Sequence, residues 1–361
     1  DVPGTGVRLE HGVDGGPGSI VLEGLPAGRD LEVRAGGPAL GGGSARLAFR
    51  TLDPLLGEPL SRVATISDLH LGAEAFGHRG TIHERPAPAV PHPLRCTSCA
   101  MADAVAWGAD RIVAKGDLTH RGDVDEWRTW ARLVGAAPVP VDGVAGNHDR
   151  GGHHEQHPGR RTPPLLPEEA AGLYGFAMAS PMLVRDHPGL RVVLLDSTVQ
   201  GRNRGTLAHL LEDLGDAVAD ADPEGSVLVA LHHHLHARPV PEGWPVGVAH
   251  PESRSVLERL GAAHRRVLVT SGHTHRHRRW DHGGVTSTQV GSTKDYPGVW
   301  AGYVAHEGGL RQVVRRVSRP DCLAWTDRTR RAALGAWRWV APGRLHARCF
   351  NHPASVVRSG R

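Results

Sequence analysis

Five short histidine- and aspartate-bearing motifs stand in one order along the chain, each at the end of a short apolar run. They are Asp68-Leu69-His70, Gly116-Asp117, Gly146-Asn147-His148-Asp149, His232-His233-His234 and Gly272-His273-Thr274-His275. The runs over 62–67, 111–115, 139–145, 226–231 and 266–271, with a further one over 191–195, are rich in Val, Ile, Leu and Ala. Buried strands read that way. Helix patterns are expected over 98–107, 124–134, 205–217 and 251–262, the third with Leu207, Leu210, Leu211 and Leu214 along one face. Strand–helix alternation argues a layered α/β domain. In such sheets sites assemble at the carboxyl ends of strands, so motifs far apart in sequence are expected to converge on one edge.

The residue types in those motifs suit one kind of chemistry. A phosphate ester resists hydrolysis because nucleophile and target are both electron-rich. Two divalent cations about 3.5–4 Å apart overcome this by acidifying a bridging water and neutralising phosphoryl oxygens. Such a pair needs one carboxylate that reaches both ions, and Asp117 directly after a strand can do so. Asp68 and His70, two apart on an extended segment, face the same side, as do His273 and His275; Asn147 adds a neutral oxygen and His232 a further imidazole. Two divalent ions set against Asp68, Asp117 and a bridging hydroxide leave a net positive site that attracts phosphate. Mixed nitrogen and oxygen ligands suit Mn, Fe or Zn rather than Ca. Taken singly, Asp68 could cap a turn and Gly116-Asp117 could be a strand-end turn. One site explains all five motifs together.

The set D-x-H, G-D, G-N-H-D, H and G-H-x-H resembles the calcineurin-like metallophosphoesterase superfamily over about residues 62–290. The resemblance implies a four-layer sandwich, two mixed β-sheets flanked by helices, with one metal on Asp68, His70, Asp117 and His275. It implies a second metal on Asp117, Asn147, His232 and His273. His233 is the alternative to His232, which is favoured because Val229-Ala230-Leu231-His232 matches the family's V-x-x-H. The resemblance implies that His148 is catalytic, assisting the leaving group, and that Asn147 and His148 face substrate. In several branches of the family an aspartate orients that histidine, but here His120 stands in its place. His148 is therefore expected to have a lowered pKa, or to be oriented by Asp149. The block Gly116–Trp127 resembles the class III cyclic-nucleotide phosphodiesterase-like branch. Purple acid phosphatases carry a tyrosine at position 120, so a purple iron site is not expected. A phosphodiesterase, with cyclic nucleotides as candidate substrates, is the leading expectation. A phosphomonoesterase is the alternative, and a non-catalytic metal-binding scaffold a lesser one.

Residues 1–55 read differently, with strand-like runs at 7–10, 19–23, 31–35 and 45–51 between Gly/Pro-rich turns. A small fibronectin III-like β-sandwich is expected there, then a catalytic domain over 56–318. A C-terminal extension over 319–361, carrying Trp325, Trp337, Trp339 and Phe350, is expected to pack on it. The formal net charge is +4 and only two of the cations are lysines, Lys115 and Lys294. No dense basic run argues for a nucleic-acid polymer as partner. No run of about 18 apolar residues suggests a membrane span, and no leader pattern opens the sequence. Cys96 and Cys99 read as two helix residues, and a reduced cytoplasmic protein acting on a small phosphate ester is the expectation. His78, His83, Arg150, His153 and His154 lie on loops expected near the site, as candidate substrate contacts.

Overall fold

A computed structural model describes residues 1–12, 17–77, 81–151, 163–236 and 245–353. His78, His153 and His154 lie outside the described residues. The chain opens with strands β1 (Asp30–Gly36), β2 (Ser44–Arg50) and β3 (Ser61–Ile66), then the short β4 (Ala75–Phe76) and β5 (Ile82–His83). There follow α1 (His92–Ala106), β6 (Arg111–Lys115), α2 (Val124–Gly135), β7 (Val141–Val144), α3 (Pro167–Tyr174) and β8 (Ala177–Met178). Next come β9 (Met182–His187), β10 (Leu190–Leu195), α4 (Leu211–Ala219), β11 (Ser226–Leu231), α5 (His250–Ala263) and β12 (Val267–Ser271). Strands β13 (Arg278–His282), β14 (Val285–Gln289), β15 (Val299–His306) and β16 (Gly309–Arg316) precede α6 (Pro320–Thr329), α7 (Trp337–Val340), α8 (Leu345–Arg348) and β17 (Phe350–Pro353).

Two sheets face each other, one ordered β17-β16-β15-β3-β6-β7-β8 and the other β13-β14-β12-β11-β10-β9. Both are mixed. Strands β3, β6, β7 and β8 run parallel, as do β10, β11, β12 and β14, and antiparallel strands flank them. The alternation of a pleated strand explains the layering. In β11, Val227, Val229 and Leu231 pack with Leu214 and Leu257 of α4 and α5, while Leu228 and Ala230 point to the opposite sheet. In β3, Val63 faces the second sheet and Ala64 and Ile66 face Cys99, Ala100 and Trp127 of α1 and α2. Three apolar interfaces therefore separate four layers, helix, sheet, sheet, helix. Strands apolar on both faces have no polar side to show, which is why they read as continuous runs.

Of the four N-terminal runs, those at 31–35 and 45–51 pair as the β1–β2 hairpin. Residues 7–10 and 19–23 form no strand, and among the described residues no second sheet covers the hairpin. Its strands are largely exposed, so the apolar alternation there is too weak to bury a sandwich core. The helix expected over 205–217 is shorter, a 3₁₀ turn over Ala208–Leu210 leading into α4. In the C-terminal segment Trp325 and Phe350 are buried, β17 extends the first sheet beside β16, and Trp339 is 75% exposed. Among the described residues no helix is long and apolar enough to cross a membrane.

Candidate dinuclear metal centre

Each motif begins within three residues of the carboxyl end of a parallel strand: Asp68 after β3, Asp117 after β6, Asn147 after β7, His232 after β11, and His273 and His275 after β12. The chain turns sharply there. Asp68, His70, Asp117, His273 and His275 all adopt left-handed backbone, with φ of 56°, 46°, 49°, 66° and 53°. Such conformations cost roughly 1–3 kcal/mol each and persist only where surroundings hold them. Here a hydrogen-bond lattice does so. The amides of Asp68 and His70 donate to Gly116 O and Asp117 O at 3.1 and 2.7 Å. The His273 amide donates to Asp68 Oδ1 at 2.8 Å, and the His148 amide to Asp117 Oδ1 at 3.0 Å. Glycines let these loops approach: a Cβ on Gly272 would lie 2.8 Å from Asp68 Oδ2, and one on Gly146 would strike the Asp117 amide.

Two sets of donor atoms result. In the first, His275 Nε2 lies 3.5 Å from Asp68 Oδ1 and 3.4 Å from His70 Nε2, which is 3.5 Å from Asp117 Oδ2. In the second, His232 Nε2 lies 3.0 Å from Asn147 Oδ1, 3.1 Å from His273 Nδ1 and 3.4 Å from Asp117 Oδ1. The two oxygens of Asp117 thus face different sets. The opposite ring nitrogens identify which lone pairs point inward. His275 Nδ1 donates to Asp295 Oδ2 at 2.7 Å, His232 Nδ1 to Lys115 O at 3.0 Å and His273 Nε2 to Val246 O at 3.1 Å. In the neutral rings the inward nitrogens are therefore bare, and they face other acceptors. Acceptors packed on acceptors in a buried place are unfavourable without a cation between them. Ligands sharing one ion at about 2.0–2.2 Å stand about 3.0–3.5 Å apart, so both sets fit a borderline divalent ion.

Burial sets the electrostatics. It raises the Asp68 carboxyl and pushes the imidazoles of His70, His233 and His273 well below their ordinary range. For His275 burial opposes protonation, but Asp295 and Asp68 outweigh it and raise the ring. His148 is lowered to about 3, chiefly by burial. Its Nδ1 donates to the backbone carbonyl of His120 at 2.9 Å, and the two rings stack with centroids 5.4 Å apart. Asp149 does not orient His148. Its carboxylate instead accepts from the amides of Gly146, Leu118 and Thr119 at 2.8, 3.1 and 2.7 Å, pinning two motif loops together.

The structure therefore brings Asp68, His70, Asp117, Asn147, His148, His232, His273 and His275 to one place. His233 turns Nδ1 to Ser197 Oγ at 2.9 Å, although its ring remains near His273. Arg150 is held by Asp196 and Glu168, so its charge is compensated within the protein. His83 lies in β5, exposed. Sequence reasoning missed Lys115, Asn203 and Asp295. Lys115 is fully buried between the sheets and lowered to about 7 by that burial, donating to Thr270 Oγ1 and Ser271 O at 3.0 Å each. Asn203 Oδ1 accepts from Asn147 Nδ2 at 3.4 Å, which turns Asn147 Oδ1 inward. Lys115 immediately precedes the Gly116-Asp117 motif, an available signal; single loop residues such as Asn203 and Asp295 carry none.

Four layers, with two nitrogen- and oxygen-lined sets meeting at one carboxylate on the strand-end edge, are the architecture of dimetal phosphoesterases. The chain belongs to the calcineurin-like phosphoesterase family, whose model matches residues 61–277. It is 32% identical over 148 residues to the 3′,5′-cyclic adenosine monophosphate phosphodiesterase CpdA of Pseudomonas aeruginosa, covering 40% of this chain and 47% of that protein. It is 25% identical over 178 residues to a probable cyclic nucleotide phosphodiesterase of Xenorhabdus bovienii (strain SS-2004), covering 49% and 65% respectively. The matched segments thus span less than two thirds of either relative. In fold it is similar to a dimetal phosphatase from Danio rerio, with TM-score 0.53, 17% identity, and 72% of this chain and 97% of that one covered. It is also similar to the purple acid phosphatase PPD1 of yellow lupin, with TM-score 0.50, 16% identity, and 82% and 59% covered.

Proposed function

We propose that the chain is a dinuclear metal-dependent hydrolase of small phosphodiesters, with cyclic nucleotides the first class to test. The observation that carries the reading is Asp117, whose Oδ2 lies 3.5 Å from His70 Nε2 while its Oδ1 lies 3.4 Å from His232 Nε2. Asp68, His70, Asp117 and His275 would hold one ion, and Asp117, Asn147, His232 and His273 the other. Bound there, two divalent ions supply Lewis acidity towards the phosphoryl oxygens and acidify a water. Mn, Fe and Zn suit the donors.

The remaining roles fall to the chain's own groups. Asn203 holds the Asn147 amide so that its oxygen faces inward. The His120 carbonyl occupies the Nδ1 proton of His148, leaving proton exchange with a leaving oxygen to Nε2. With burial holding this imidazole at about 3, His148 is neutral near pH 7 before substrate arrives. An anionic ester beside it favours the protonated form. The diester preference rests on the motif block around Asp117 and on the named activities of the two relatives in sequence.

The test is hydrolysis of bis-p-nitrophenyl phosphate and p-nitrophenyl phosphate by metal-stripped protein reloaded with Mn, Fe or Zn. A metal-restored diester preference is expected. A monoester preference would instead make the protein a phosphatase, and two bound ions without turnover of any ester, cyclic nucleotides included, would favour a scaffold.

A further inference from the structure

We propose that Asp295 is a positioning residue that fixes His275 as the Nδ1–H tautomer and makes the first ion's site the tighter of the two. The inference rests on the dinuclear reading above. Asp295 is fully buried, and its Oδ2 accepts from His275 Nδ1 at 2.7 Å. The other nitrogen of the same ring, Nε2, lies 3.5 Å from Asp68 Oδ1 and 3.4 Å from His70 Nε2, inside the first donor set. The carboxylate therefore lies behind the ring and the lone pair in front of it. Lys294, the second of the chain's two lysines, places Nζ 3.8 Å from the same Oδ2. Burial alone would raise the Asp295 carboxyl, but His275 and Lys294 hold it below the usual range.

The loop bearing Asp295 is laced under the first motif. Ser292 Oγ donates to Asp68 O at 3.1 Å and the Thr293 amide to Ser67 O at 3.0 Å. From the C-terminal segment, Trp325 Nε1 donates to Lys294 O at 2.7 Å. The second donor set is backed differently. Its histidines, His232 and His273, donate outward to the backbone carbonyls of Lys115 and Val246 at 3.0 and 3.1 Å. A carboxylate acceptor gives a stronger, charge-assisted bond than a carbonyl and makes the imidazole it holds a more basic ligand. The two sites share Asp117, and Asp68 Oδ1 also meets the second set through the His273 amide at 2.8 Å, but only the first has a carboxylate, Asp295, behind one of its histidines. The asymmetry is thus one of charge as well as geometry.

The experiment measures stepwise Zn and Mn affinity by chelator competition for wild-type protein, Asp295→Asn and Asp295→Ala, with the Co(II) absorption spectrum as a second readout. Wild type is expected to bind two ions in unequal steps. Asp295→Ala should weaken the tighter step by about 10–100-fold and leave the weaker within about threefold. Asp295→Asn, which keeps a neutral acceptor for Nδ1–H, should lose less and still separate the two steps should the alanine variant not fold. Asp295→Ala with both steps unchanged, or both weakened equally, would overturn the proposal. Wild-type protein that binds fewer than two ions would overturn the dinuclear reading itself, a distinguishable result.

Discussion

Gly272→Ala tests how closely the two halves of the site are fitted. A Cβ at this position would lie 2.8 Å from Asp68 Oδ2, about 0.6 Å inside the 3.4 Å at which ordinary contact begins, and 3.0 Å from Ser67 Cβ. The carboxylate cannot simply swing away, because Asp68 Oδ1 is fixed by the His273 amide at 2.8 Å. Asp68 must shift by about half an ångström, and a misplacement near 1 Å costs about 100-fold in rate. Gly272→Ala should therefore lose about tenfold in kcat/KM for bis-p-nitrophenyl phosphate and destabilise the protein by about 1 kcal/mol through crowding. Gly146→Ala is harsher, since its Cβ would meet the Asp117 backbone amide rather than a side chain. That variant should lose at least 100-fold and bind both ions more weakly, Asp117 being common to both sets. The control is Gly172→Ala in α3, where nothing lies within 4 Å, so that a gain of about 0.5 kcal/mol with unchanged activity is expected. The assay combines steady-state kinetics, bound-metal content and thermal melts. Full activity and two tight ions in Gly146→Ala would refute the fitted geometry.

The register of the histidine run is checked by comparing two variants: His232→Ala should lose at least 100-fold in kcat/KM and one bound ion, whereas His233→Ala should keep both ions and lose about tenfold. His120→Asp places a carboxylate beside the His148 ring, so the alkaline limb of the pH–rate profile, where His148 loses the proton it gives the leaving group, should move up by about one unit; an unmoved limb sinks that reading. Glu126 is raised to about 7, chiefly by burial. Because its folded pKa exceeds the unfolded value, the stability it contributes is present below about 4.5 and lost as pH rises through about 7. Glu126→Gln should remove that loss, gaining roughly 3 kcal/mol on wild type between pH 4.5 and 8 in denaturant titrations. Parallel pH curves for the two proteins would show that Glu126 does not titrate in this window.

How much of this was readable beforehand depended on which faces are buried. Runs such as Val227–Leu231 and Val267–Ser271 stand out because both faces of each strand lie in apolar layers. The following strands do not announce themselves. The sequence Val-Thr-Ser-Thr-Gln of β14 is wholly buried, but both its threonine hydroxyls are satisfied within the fold, Thr288 Oγ1 by Val269 O at 3.1 Å and Thr286 Oγ1 by Asp281 Oδ1 at 2.6 Å. A polar strand of that kind looks like a loop until its partners are known. The donor residues were legible because one site requires a fixed kit of side chains after strand ends. What holds them was not. Asp295 acts on a histidine 20 positions away, and the His148 orienter is a main-chain carbonyl, which any residue at position 120 would supply. The N-terminal runs show the reverse error: alternation without bulk to bury gave two strands where four were expected.

The strained backbone and the facing lone pairs express one conflict. Among the described residues, seven non-glycine positions have positive φ, and five of them are donor residues of the two sets. Strain of this kind does not improve folding; each position subtracts from stability, as does each buried acceptor left without a donor. Asp68 Oδ2 is one such acceptor, fully buried and without a partner. A sequence selected for stability alone would relax the turns with glycine or asparagine and separate the acceptors. This one keeps them, and surrounds them with backing that prevents relaxation: Asp149 bracing two loops, Asp295 and two carbonyls fixing the rings, and glycines where any Cβ would prise the motifs apart. Two cations held as proposed above would give the inward-facing acceptors a common partner. The energy invested in the turns would then become preorganisation, with little left to reorganise when a phosphate ester arrives.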